Sequence, residues 1–192
     1  MRRILQHALS TARRLWRDRS GAMIAEFAAS MPVMLILVMS GTEVSRYIIL
    51  HQKLDRATTT VADLIAQEED ATTAKVNAVF DAIPPILAPY AFSDNGAFII
   101  SSITLDGTAT KVAWQRSSGG SFAATSKIGT QGGAATLPAG LTIRTNETII
   151  VSESYYRFTP MFMPTAFSDR MVETVYHQAF YRPRFGALTT ID

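Results

Sequence analysis

Ser152, Glu153, Asp169 and His177 supply the residue types of an acyl-transfer triad. No GxSxG motif presents the serine on a strained turn, however, and a chain of this length offers such a set by composition alone. Glu173 and His177 stand four apart, the spacing of a helical acid–base pair, but Val172 to Arg182 (VETVYHQAFYR) reads as a strand, on which the two merely share a face. His7, His51 and His177 fall in three separate segments without the HExxH spacing that brings two imidazoles to one metal. Cysteine is absent, which excludes thiolate catalysis, disulfides and cysteine-ligated metals. Ser117 to Gly120 (SSGG) lacks the lysine of a phosphate loop, and Asn146-Glu147-Thr148 is a formal glycosylation sequon of three residues. The expectation is a protein that is not an enzyme and has no cofactor or metal.

The segment with a specific chemical reading lies near the other end. Arg19 to Phe27 (RSGAMIAEF) joins a basic leader to an apolar run. A cut after Gly21 would make Ala22 the first residue, with a new α-amino group, and would put Glu26 fifth and Phe27 sixth. A carboxylate one turn inside an apolar helix is costly in a bilayer unless it finds a partner. The amine at Ala22 of a neighbouring subunit would be such a partner; placement of Glu26 at headgroup level is the alternative.

This arrangement resembles type IV pilin precursors, in which a membrane peptidase cuts after a glycine and a glutamate stands at the fifth mature position. The Glu26-Phe27 pair resembles the Flp branch of those pilins. From Glu26 (EFAASMPVML) through Gly41 to Gln67 (GTEVSRYIILHQKLDRATTTVADLIAQ), the sequence is similar to the N-terminal region of TadE-like pseudopilins, minor pilins of the tight-adherence system. Gly41, Glu43, Arg46 and Tyr47 match that pattern, and the resemblance spans about residues 19 to 67. It implies processing after Gly21 by a prepilin peptidase and a role in assembling a tight-adherence (Flp) type IV pilus. The implied partners are other pilins and minor pilins and the inner-membrane assembly platform, and Glu26 pairing is implied to set axial register. A reading from a different class is an uncut, signal-anchored sensor or binding module whose extracytoplasmic sheet holds a ligand.

The elements that must position these residues follow from patterning. Residues before Gly21 carry six arginines against Asp18, a balance of +5, which leaves −3 on the rest. Basic residues concentrated in a leader rather than on the folded part argue against a nucleic-acid partner. Ala22 to Thr42 holds one ionisable residue, Glu26, and is about the 20 residues a bilayer-spanning helix needs. The arginine flank predicts an N-terminus in the cytoplasm and a C-terminal domain outside it, single-pass in a bacterial inner membrane. Leu50, Leu54, Ala57, Val61 and Leu64 continue as one helical face, so the helix is expected to run from Ala22 to Gln67, on the order of 70 Å at 1.5 Å per residue, with Pro32 tolerated inside it. Glu43 and Arg46, three apart, can pair at the outer membrane boundary.

Beyond the acidic cluster Glu68 to Asp70, a short helix is predicted from about Ala71 to Ile83, stopped by Pro84, Pro85 and Pro89. Phe98 to Leu105, an Asp106-Gly107 turn and Thr110 to Arg116 read as a hairpin, and Thr148 to Phe158 and Val172 to Arg182 as further strands. Ser117 to Gly140 reads as a long loop, and Met161 to Phe167 (MFMPTAF) as an apolar connection that either buries under the sheet or faces a partner pilin. The fold class expected is α+β: a long N-terminal transmembrane and stem helix packed on a small antiparallel sheet. The leader covers residues 1–21, the helix 22–67 and the extracytoplasmic domain 68–192.

Overall fold

A computed structural model describes residues 20–145, 147–162 and 172–192 of the chain. The polypeptide divides into two compact units, Met1–Val44 and Ser45–Asp192. Helix α1, Ser20–Ala66, passes through the boundary and contains Pro32.

In the first unit every residue from Gly21 to Thr42 is exposed, including Phe27, Met31 and the run Val33 to Met39. The Ser30 hydroxyl donates to the Phe27 carbonyl at 3.0 Å and the Thr42 hydroxyl to the Val38 carbonyl at 2.9 Å. Both hydroxyls are therefore satisfied within their own helix, the arrangement an apolar surrounding demands.

In the second unit the rest of α1 lies on an antiparallel sheet. Leu50, Leu54, Ala57, Val61, Ile65 and Ala66 are buried against Phe98, Ile100, Trp114, Ile150, Tyr156 and Phe158. The stripe departs from expectation at its end. Leu64 is 41% exposed and Ile65 takes its place, because the position one full turn beyond Val61 is i+4 here.

Helix α2, Thr73–Asp81, starts where the Thr72 hydroxyl accepts from the Lys75 amide at 3.3 Å, and it buries Val76 and Phe80. Pro84 and Pro85 do not end the helical region as expected. They sit in the first turn of a further short helix, α3, Ile83–Leu87, where an amide N–H would have no intrahelical acceptor anyway. A one-turn helix that the sequence did not suggest, α4, Phe92–Asn95, leads into the sheet.

The strands are β1, Gly96–Asp106, β2, Ala109–Ser117, β3, Thr148–Phe158, and β4, Glu173–Tyr181. Their order is β2-β1-β3-β4, with every neighbouring pair antiparallel. The hairpin turn falls one residue later than read from the sequence. Asp106 pairs with Ala109, and the connection is Gly107-Thr108, with Gly107 at φ 65°, a conformation open to glycine at no steric cost.

Strand alternation divides β3 between two cores. Ile150, Tyr156 and Phe158 face the helices, whereas Ile149 and Val151 pack with Ile103 and Val112 against Ile128, Ala135 and Ile143. The last three come from the segment between β2 and β3, expected only to be a loop. It covers the second face of the sheet and also closes the outer edge of β2, through Val112 N–H to Gly133 O at 3.0 Å, Gly132 N–H to Val112 O at 2.8 Å and Ala135 N–H to Thr110 O at 2.9 Å. The C-terminal tail is held by the Leu188 carbonyl, which accepts from the Trp114 indole at 2.9 Å and the Ser102 hydroxyl at 2.6 Å.

Candidate functional site

The residues singled out for cleavage and assembly lie at the start of α1. Gly21 and Ala22 occupy its first turn, with Glu26 and Phe27 one turn on, all exposed. A Cβ added at Gly21 would meet nothing within 4 Å, so the fold itself places no demand on a glycine there. The helix they begin is long and apolar enough to cross a membrane, and the apolar part has no buried residue. Phe27 is 61% exposed. A helix apolar all round and covered by none of the described residues requires an apolar solvent or partner. Glu43 and Arg46 are both half-buried on α1; the Arg46 guanidinium stands 5.7 Å from the Phe158 ring centre, and its carbonyl accepts from the Tyr90 hydroxyl at 2.7 Å.

Two side-chain clusters in the second unit escaped sequence reading. The first links α1 to β4. His51 Nδ1 lies 3.1 Å from His177 Nε2, and His177 Nδ1 lies 3.5 Å from Asp55 Oδ1. Beside them the Tyr47 hydroxyl donates to Glu173 Oε2 at 2.9 Å, and the Tyr47 and His51 rings meet edge-on at 4.4 Å. Burial, reinforced by His51, lowers the His177 pKa below its ordinary value, against the opposing pull of Asp55. Tyr47 is raised, chiefly by its bond to Glu173. Among the described residues no group of three or more His, Asp or Glu side chains is arranged to hold a metal.

The second cluster surrounds Glu153, fully buried on the loop-covered face of β3. Its Oε1 accepts from the Tyr155 hydroxyl at 2.8 Å, the Lys127 amide at 2.9 Å and the Tyr176 hydroxyl at 3.0 Å, and its Oε2 accepts from the Ser126 hydroxyl. Tyr155 and Tyr176 are raised well above the ordinary tyrosine range, first by burial and then by Glu153. Four donors converging on one carboxylate fasten the covering loop to β3 and β4; they present no open face to a substrate.

Among the described residues the triad candidates are not joined, and the Ser152 hydroxyl has no hydrogen-bond partner. Ser152 and Glu153 are consecutive on β3 and point to opposite faces, and His177 is engaged with His51 on the helix side. Asp169, Asn146 and His7 lie outside the described residues, as do Met163 to Phe167 of the apolar connection, whereas Met161 and Phe162 are exposed.

Fold and site together define an α+β protein with one N-terminal helix suited to anchor it in a membrane. Residues 21–63 match the family model described as TadE-like protein, and over that segment the chain is similar to that family. No curated protein matches the chain. No solved structure matches it either.

Proposed function

We propose that this protein is a TadE-like minor pilin, a pseudopilin that takes part in assembly of a tight-adherence type IV pilus and has no catalytic activity of its own. The observation that carries the reading is a coincidence of boundaries. The family match begins at residue 21, the glycine after which the chain would be cut, and the exposed apolar helix begins in the same turn. In this account a prepilin peptidase cuts between Gly21 and Ala22, and α1 holds the processed chain in the inner membrane. The arginine leader faces the cytoplasm and the sheet domain the other side. Glu26 then pairs with the new amine of a neighbouring pilin, Phe27 packs beside it, and Glu43 and Arg46 mark the outer boundary of the membrane segment. Assembly proceeds through helix packing with other pilins on the inner-membrane platform.

Mass spectrometry of the protein recovered from membranes of cells that contain the peptidase tests this. Ala22 as the first residue is the expected result. An intact Met1 under those conditions overturns it and favours the uncut, signal-anchored binding or sensor module.

A further inference from the structure

We propose that His51 and His177 form an acid-sensitive latch between α1 and β4, closed while both imidazoles are neutral and loosened when the pair takes up a proton. The geometry fixes where the protons sit. His51 Nε2 is buried with no hydrogen-bond partner among the described residues, so a proton there would be an orphaned donor. The His51 proton therefore belongs on Nδ1, aimed at His177 Nε2 3.1 Å away, which must accept it. His177 then carries its own proton on Nδ1, facing Asp55 Oδ1 at 3.5 Å. This single arrangement satisfies every ring nitrogen except His51 Nε2, a bare acceptor and the cheapest atom to leave unpaired.

A further proton has no good place to go. On His177 Nε2 it sets two N–H groups against each other across 3.1 Å; on His51 Nε2 it lands in the buried position without an acceptor. Among the described residues the charged and titratable groups around the pair are few. From α1 they are Tyr47, whose hydroxyl is given to Glu173, and Asp55, whose side chain is 66% exposed, so that water screens its pull on an imidazolium. From β4 there is Glu173, occupied by Tyr47. From β3 the helix-facing residues are Ser152, Ser154, Tyr156 and Phe158, uncharged at neutral pH; Ser154 opposes His177 in the strand register and its hydroxyl is bonded to Thr58 of α1 at 2.6 Å.

The lowered His177 agrees in sign. A histidine harder to protonate in the folded state contributes stability above its ordinary pKa of about 6.5 and loses it as pH falls below. The contact at risk is the one that seats residues 47–55 of α1 on β4.

The test is hydrogen exchange on the full chain in detergent micelles at pH 7.5 and pH 5, corrected for intrinsic rates, together with ¹⁵N spectra of the histidine rings. Amide protection in α1 between Leu50 and Thr58 and in β4 should fall severalfold on acidification. The double variant His51→Gln/His177→Gln should lose that dependence. At pH 7.5 both wild-type rings should show the neutral Nδ1–H tautomer. Protection unchanged between the two pH values, a double variant that keeps the full dependence, or rings already charged at pH 7.5 would each overturn the latch. Should the double variant fail to fold, the wild-type ring spectra decide the question.

Discussion

Replacing Glu153 separates a buried carboxylate that fastens the fold from one that is merely tolerated. In Glu153→Ala, the Tyr155 hydroxyl and the Lys127 amide lose their acceptor in a site closed to water. A buried donor left unpaired costs about 1–3 kcal/mol, so the two together could reach about 2–6 kcal/mol. Two terms reduce this: the pair already share a 3.2 Å bond, Lys127 N–H to Tyr155 Oη, and removal of the carboxylate ends the desolvation cost of a buried charge. Tyr176 can fall back on Gln178 Oε1 at 2.8 Å, and the Ser126 hydroxyl has freedom to turn. The expected net loss is about 2–4 kcal/mol, large beside a domain stability of about 5–15 kcal/mol. Glu153→Gln keeps an acceptor for Tyr155 and Lys127 and offers its amide to Ser126 Oγ, so it should cost about 1 kcal/mol, the difference between charged and neutral hydrogen bonds. Urea unfolding of the full chain in micelles, followed by near-ultraviolet circular dichroism, measures both. If the alanine variant is no less stable than the glutamine variant, the four-donor account of Glu153 is wrong.

Gly21→Val should leave the full-length form in the membrane while the protein remains stable, since nothing in the fold crowds that position; immunoblots that show normal processing would remove the main support for cleavage there. Glu26→Ala should still be inserted and cut yet fail to support piliation, which electron microscopy of cells carrying only that variant reads directly. Leu54→Ala, fully buried between α1 and the sheet, should cost about 2–5 kcal/mol in the same urea assay, whereas Leu64→Ala, 41% exposed, should stay within about 0.5 kcal/mol of wild type. Tyr155 and Tyr176 are raised in the folded state, so the stability they add is present below pH 10 and is lost as pH rises through their folded values; a phenolate absorbance titration should show these two ionising only together with unfolding.

The parts of this molecule that were legible in the sequence are those governed by local periodicity. The 3.6-residue stripe from Leu50 to Val61 and the β-branched runs around Ile99 and Ile150 each announce an element and its buried face. Where the outcome depends on residues far apart in the chain, the signal disappears. His51 and His177 are separated by 126 residues, and only the register that sets His177 opposite Ser154, with Ser154 beneath Thr58, brings the imidazoles together. Ile128, Ala135 and Ile143 are scattered among glycines, serines and threonines, so no period marks them as core, although they close one face of the sheet. Glu153 in a strand rich in apolar residues was a clue to a buried polar site, since such a charge must find donors; Tyr155 and Tyr176 lie on strands read from the sequence, but the other two donors, Ser126 and the Lys127 amide, came from a segment with no readable structure.

Helix α1 joins two physical regimes in one element. Between Leu50 and Ala66 it behaves as a helix of a water-soluble domain, apolar on the side that meets the sheet and polar at Lys53, Asp55, Arg56 and Asp63. Between Met23 and Met39 the apolar residues lie on every side and all are exposed, so nothing among the described residues removes them from water. Apolar area of that extent, at about 25 cal/mol per Å² for each part left in water, is a strong drive toward lipid or toward the helices of other subunits. Glu26 is the single ionisable residue in that regime, and its cost is the same in either destination unless a positive group comes with the neighbour. The proposed cut after Gly21 would create such a group on each chain so processed, at the end of a helix of this same kind, and in that proposal cleavage and the carboxylate form one device.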